Sequence, residues 1–263
     1  MTRCCVLMYH GLAERAVPSA DLGTHDPLYV VGPGSFEAQM ELLRADGYVG
    51  LSLGDFLRGR AGDRMTAVIT FDDGNRTDYL AALPILQKLG FTATFYITTG
   101  WIGRAGFLTE PDIRALAAAG MEIGSHGHTH RYFSDMGSGE LEEELARSLS
   151  VLANVLGRRV TALSAPGGRL HPKLRSLASA AGVTSIATSR FAAFDPAGDP
   201  FSVPRVPIQS TTTLDAFRSM YRCERGYFLQ NALRHGVLAA AKRALGNRRY
   251  ERLRSRLIRQ SDV

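Results

Sequence analysis

Ala67-Val68-Ile69-Thr70-Phe71-Asp72-Asp73-Gly74 is the stretch on which the fold turns. Its first five residues, rich in β-branched and aromatic side chains, read as a buried strand. The run ends in two carboxylates and a glycine, a turn signal. Beyond it Leu80, Leu83, Leu86 and Leu89 recur at helical spacing until Gly90 stops them. The same strand, turn and helix unit repeats outward in both directions. Upstream, Val6 to His10 is a buried strand, and Ser35 caps a helix carrying Phe36, Met40 and Leu43. Downstream, Thr92 to Ile97 is strand-like. Thr109 caps a helix with Pro111 in its first turn, closed by Gly120. Met121 to Ser125 is a short strand, and Gly139 to Leu156 a charged amphipathic helix closed by Gly157. Thr161 to Ser164 is a strand, Pro172 to Ala181 a helix, and Val183 to Thr188 a strand. Val203 to Ile208 is a weaker strand candidate because of its prolines.

Strands alternating with helices imply right-handed crossovers and a mainly parallel sheet, an α/β fold whose units can close into a barrel. In such folds function collects where strands end, and two unusual clusters sit there. In the first, Asp72 and Asp73 place like charges side by side, which a divalent cation would offset. One carboxylate would bind the ion and the other stay free as a base; the plainer reading is a turn capping the next helix. The second cluster is Gly124-Ser125-His126-Gly127-His128-Thr129-His130. His126 and His130 have a separation that lets two imidazoles converge on one cation. Two imidazoles and a carboxylate leave coordination positions open, as catalysis requires. A structural zinc site would call for four ligands, usually with thiolates, and no cysteine is near. His128 either lines the site or faces solvent.

With these motifs in place, the chain resembles the polysaccharide deacetylase family, carbohydrate esterase family four, also described as the NodB-homology domain. The matching residues are Thr70-Phe71-Asp72-Asp73-Gly74 and the His-x-x-x-His of 126–130, each after a strand. Leu7-Met8-Tyr9-His10 and Gly120 to Ser125 support them. The likeness spans roughly residues 5 to 210. It implies a distorted (β/α) barrel of about seven parallel strands, placed at residues 1–212. A basic helical extension, 213–263, would pack on or beside it. It implies a divalent metal, usually zinc, held by Asp73, His126 and His130, with Asp72 as the base. The implied activity is metal-dependent removal of N-acetyl groups from an amino-sugar glycan or glycolipid, within exopolysaccharide biosynthesis.

Two family features are missing. An arginine usually stands two residues before a Pro-Tyr-Gly, but here the segment is Ser164-Ala165-Pro166-Gly167-Gly168-Arg169. Ser164 holds the arginine's place, so Arg169 or Arg205 would have to reach Asp72. The Leu-x-His that usually supplies the general acid is also not evident. His10, at the end of the first strand, is the expected replacement, with His171 as a second candidate. Trp101 is either a sugar-stacking ring or an ordinary core-edge residue. Two rivals follow: another C–N hydrolysis, such as deformylation, and a catalytically silent glycan- or membrane-binding relative.

Composition narrows the setting. In 263 residues the apolar share of 45% and charged share of 21% suit one large core. The apolar run Cys4 to Tyr9 is too short for a signal peptide, so a cytoplasmic protein, in some circumstances peripheral on the cytosolic membrane face, is expected. Cys4, Cys5 and Cys223 form no disulfide framework and read as buried thiols. Net charge is +6, concentrated between Arg218 and Arg259. That segment reads as amphipathic helices, either packed with a solvated basic face or docked on anionic lipid. No recognition motif for nucleic acid is present, and none is expected as a partner.

Overall fold

The structure, a computed structural model, describes residues 3–13 and 27–231. Ten short strands are present among them: β1 Cys5–Tyr9, β2 Gly11–Leu12, β3 Val30–Val31, β4 Val49–Leu51, β5 Thr66–Phe71, β6 Thr94–Ile97, β7 Glu122–Ser125, β8 Ala162–Ser164, β9 Ser185–Ala187 and β10 Val206–Pro207. The helices are α1 Pro33–Ala45, α2 Leu53–Leu57, α3 Leu83–Leu89, α4 Glu110–Ala118, α5 Ser138–Leu156, α6 Leu174–Ala180 and α7 Leu214–Tyr221. Seven strands run β10-β1-β5-β6-β7-β8-β9, with β4 beside β5. Every ladder between them is parallel. The sheet curls into an incomplete barrel. A bridge from Ala187 to Val203 draws its last strand toward the segment that enters β10.

Strand pleating divides the sequence between two faces. Ala67, Ile69 and Phe71 of β5 join the main core under the helices, whereas Val68 joins a second, smaller cluster. Register sets Tyr9 beside Phe71 and Phe71 beside Phe95. Their rings stack at 5.4 and 4.8 Å, with Phe36 of α1 packed edge-on against Tyr9. Burying one such ring stabilises the fold by roughly 1.5–3 kcal/mol. On the concave side Tyr96 packs with Ala162 and Ala187. Gly124 lies beneath its ring, where a Cβ would collide with it.

The local signals hold well. Thr109 closes a capping box with Asp112 at the head of α4, and Gly157 ends α5 in the left-handed conformation. Three details differ. α1 starts at Pro33 rather than after Ser35, since proline is preorganised for a first helical turn. The Leu80 to Leu89 pattern is not one helix. A π turn over Asp78–Ala82 adds a residue per turn and rotates Leu80 into solvent. The weak last strand shrinks to Val206–Pro207, because the prolines remove ladder donors. β4 and α2, both short, carry no pattern long enough to read.

Cys4 and Cys5 are buried free thiols, and Cys223 is a half-buried one. No helix among the described residues is long and apolar enough to cross a membrane. α7 packs on α1 and adds Phe217, Met220 and Tyr221 to the main core. The basic segment beyond residue 231, with its lipid-docking reading, lies outside the described residues.

Candidate active site

The C-terminal ends of β1, β5, β7 and β8 meet in one place. β5 ends by handing the Asp72 N–H to the Tyr9 carbonyl (2.9 Å). The chain then turns through Asp73 at φ 75° and Gly74 at φ 85°. Aspartate is among the residues that tolerate this left-handed region. The turn aims the Asp73 carboxylate at the end of β7. There His126 Nε2 stands 3.5 Å and His130 Nε2 3.1 Å from Asp73 Oδ1. One ligand atom from each of the three residues lies within 4.8 Å of the others. His130 also has a left-handed backbone, φ 61°, a conformation stored at a site the surroundings over-determine.

The donor set fits a divalent cation. His126 Nδ1 lies 3.0 Å from the Ser164 carbonyl, which can only accept. The proton therefore sits on Nδ1, and in the neutral ring Nε2 carries the lone pair toward Asp73. Burial would depress the His126 pKa, but the Asp72 and Asp73 carboxylates outweigh it and raise the value. For Asp73, burial works upward, yet hydrogen bonds from His126 and His130 pull its pKa well below the usual range. Two imidazoles crowding one buried carboxylate are the arrangement a cation would replace.

Asp72 is held differently. Arg205, the largest fully buried side chain among the described residues, grips it with two hydrogen bonds, Nη1 to Oδ1 at 2.6 Å and Nη2 to Oδ2 at 2.7 Å. Arg205 also donates to the Ser164 hydroxyl (2.8 Å), the Thr70 hydroxyl (3.3 Å) and the Thr188 carbonyl (3.0 Å). Ser164 in turn donates to Asp72 Oδ2 (3.3 Å). Burial pushes Asp72 upward, but the Arg205 charge and then His126 overcome it, leaving the pKa lowered. The arginine absent at position 164 is thus supplied from the approach to β10. Arg169 is not the partner; its guanidinium lies 4.1 Å over the Tyr132 ring.

His10 reaches the same strand ends. Its carbonyl accepts from Asn75 (3.1 Å), and its ring packs against Tyr29 at 4.9 Å. Among the described residues its buried Nδ1 has no hydrogen-bond partner. Burial lowers its pKa, and the charges of Asp73 and Asp72 offset only part of that. His171 is elsewhere: its Nδ1 accepts from the Lys173 N–H (3.0 Å), and it borders a separate cavity with Leu170 and Phe201. His128 turns to the Thr99 hydroxyl (2.9 Å) and is not among the three convergent groups.

One residue that supports the site was not singled out from the sequence. Glu144, buried in the middle of α5, accepts from the backbone of His128 (2.7 Å) and Thr129 (2.6 Å) and from the Thr129 hydroxyl (3.0 Å). Its carboxylate braces the loop between the two histidines. An acid on the buried stripe of an otherwise amphipathic helix is the clue that could have exposed it.

A curled parallel sheet thus carries the three convergent groups at its strand ends, the architecture shared with polysaccharide deacetylases of known structure. The polysaccharide deacetylase family model matches residues 59–186, the stretch that holds both motifs. YxkH of Bacillus subtilis (strain 168), placed by name among the polysaccharide deacetylases, is 27% identical over 184 residues, 67% of this chain. The chain spans 61% of that relative's length. Poly-beta-1,6-N-acetyl-D-glucosamine N-deacetylase of Staphylococcus aureus (strain MRSA252) is 24% identical over 217 residues, covering 76% of this chain and 73% of that protein. Among solved structures, the Streptococcus pyogenes deacetylase PplD, in complex with acetate, superposes with a TM-score of 0.74 at 22% identity over 84% of this chain and 98% of that one. The polysaccharide deacetylase BC0361 of Bacillus cereus gives 0.72 at 26% identity, over 84% and 69%.

Proposed function

We propose that this chain hydrolyses the N-acetyl group of an amino-sugar-containing glycan, with Asp73, His126 and His130 holding a divalent cation, zinc first among those this donor set suits. The observation that carries the reading is the split between the two aspartates. Asp73 converges with both imidazoles, while Asp72, 3.8 Å from His126 Nε2, is gripped by Arg205 and kept ionised. A cation bound there would supply a Lewis acid for the amide carbonyl and the attacking water.

The remaining work falls to side chains. Asp72, kept as a carboxylate by Arg205, takes the proton from the attacking water. Its depressed pKa makes it a poor holder of that proton, so the proton moves on readily. It has to reach the leaving nitrogen, and His10, at the end of β1 with its buried Nδ1 unpaired among the described residues, is the side chain proposed to deliver it. Acetate and a free amine result. Ser164 and Thr70 hold Arg205 in its fork, so the base keeps one orientation through the cycle. The substrate proposed is an N-acetylhexosamine polymer, with a lipid-linked glycan as the other form to be screened.

The test is acetate release from β-1,6- and β-1,4-linked N-acetylglucosamine oligomers and from N-acetylated glycolipids, with zinc supplied and then chelated. Metal-dependent acetate with an equal yield of amine is expected. Formate instead of acetate would transfer the site to deformylation, and no acid release from any substrate would overturn the reading.

A further inference from the structure

The loops at the C-terminal end of the sheet carry a repeated cation. Those after β5, β6, β7, β8 and β9 contribute Arg76, Arg104, Arg131, Arg169 and Arg190 in turn. Several stand close to a group of the site. Arg76 follows Asp73 by three residues, and Arg131 follows His130 directly. The Arg104 N–H donates to the Trp101 carbonyl (3.0 Å), and the Trp101 ring lies 4.6 Å from that of His130. The Arg190 carbonyl accepts from the N–H of Arg205 (3.1 Å), whose guanidinium grips Asp72.

Acids do not match this set. Residues 98–109 and 165–173 contain none. Asp195 lies at the other end of the barrel, next to Phe194, whose backbone pairs with Cys4 ahead of β1. Asp199 takes Arg175 (2.5 Å), Asp112 takes Arg76 (3.3 Å) and Glu140 takes Arg131 (3.2 Å). Arg104 and Arg190 are exposed, and no acidic side chain pairs with either among the described residues. They follow β6 and β9, the strands that flank β7 and β8 in the sheet. One exposed arginine is an ordinary solvated charge. Like charges gathered round one mouth repel one another and raise the local concentration of anions there.

We propose that the glycan is polyanionic, and that Arg104 and Arg190 receive its carboxylate or phosphodiester groups on either side of the reacting sugar. A guanidinium fork matches both kinds of anion. Cations spread over loops of successive strands suit charges repeated along a chain better than one isolated headgroup. The proposal rests on the deacetylase reading for the sugar that reacts.

The test compares acetate release from N-acetylglucosamine oligomers of equal length: neutral, alternating with glucuronate, or joined by phosphodiesters. At low ionic strength kcat/KM on at least one anionic series should exceed the neutral value by about tenfold, and the ratio should fall as salt approaches about 0.15 M. The preferred series tells carboxylate from phosphate. Arg104→Glu combined with Arg190→Glu should bring the ratio close to one. Lysine at both positions should restore most of it, and circular dichroism checks that each variant is folded. Equal kcat/KM on neutral and anionic oligomers at every salt concentration overturns the polyanionic substrate and leaves deacetylation standing. Zinc-loaded Asp72→Asn protein, titrated with the same oligomers by calorimetry, separates the opposite failure. Salt-sensitive preference for an anionic oligomer, with no acetate released by the wild type, upholds the anionic glycan as ligand and rejects the deacetylase reading. Binding to anionic phospholipid vesicles in preference to every oligomer assigns the arginines to a membrane surface and overturns the proposal.

Discussion

The two ends of the barrel both hold buried or half-buried carboxylates, and they treat them oppositely. At the N-terminal end Glu122 accepts from the Gly54 N–H (2.8 Å) and the Thr94 hydroxyl (2.6 Å). Asp55 takes Arg58 (2.9 Å) and the Thr92 hydroxyl (3.2 Å), with Arg60 at 3.2 Å. Every one of these contacts closes a hydrogen bond that the strand-to-helix connections need. At the C-terminal end the charged and imidazole groups face one another. Among the described residues, His10 Nδ1, Asn75 Oδ1 and Thr98 Oγ1 are buried there without partners, and Asp73 and His130 have left-handed backbones. Satisfied carboxylates mark the end that holds the fold together. Unsatisfied groups and backbone strain mark the end arranged for a ligand.

The comparison breaks hardest at Asp72. Asp72→Asn should cut turnover by roughly 10²–10⁴-fold and leave metal content unchanged, as measured by acetate release and elemental analysis. Turnover that survives would mean the base is misassigned. Next is Arg205→Met, which strands a buried carboxylate. It should cost about 3–5 kcal/mol in denaturant unfolding and raise the Asp72 pKa, so the little activity left should need higher pH.

Metal affinity should also depend on pH. Because its neighbouring carboxylates raise the His126 pKa above its ordinary value, a cation must displace a proton. Affinity should climb by up to about tenfold per pH unit until that pKa is passed, which calorimetry at several pH values measures. In the chelated protein the same raised pKa contributes stability that is complete below the ordinary histidine value and fades as pH rises through the shifted one. Loaded and metal-free proteins should therefore change stability in opposite directions across that window, and thermal melts with parallel slopes would contradict the assignment.

The other end of the barrel sharpens the contrast. Glu122→Gln should lower stability by about 1–3 kcal/mol with kcat/KM unchanged. The smallest effect belongs to Thr109→Ala, where loss of the capping box should cost about 1 kcal/mol and nothing in turnover.

Much of this was legible before the structure. The β-branched run ending at Asp72 read as the strand it is. The four-residue interval from His126 to His130 marked the pair that converges on Asp73. The Leu80 to Leu89 reading failed in part, because a π turn changes helical phase and a leucine pattern cannot report it. Arg205 was named only as one of two arginines that could serve Asp72. Nothing local to Val203-Pro204-Arg205-Val206 distinguishes a buried guanidinium from a solvated one.

The sequence by itself determined the parallel α/β order, the strand ends where chemistry gathers, and the pairing of His126 with His130, because strand periodicity and residue spacing are local properties; the choice of Asp73 over Asp72 was implied only by the resemblance. Only the tertiary structure decided that Arg205 holds Asp72, that Glu144 braces the histidine loop, and that Trp101 lies against His130. Those are contacts between segments far apart in the chain, and they exist only once the sheet has curled.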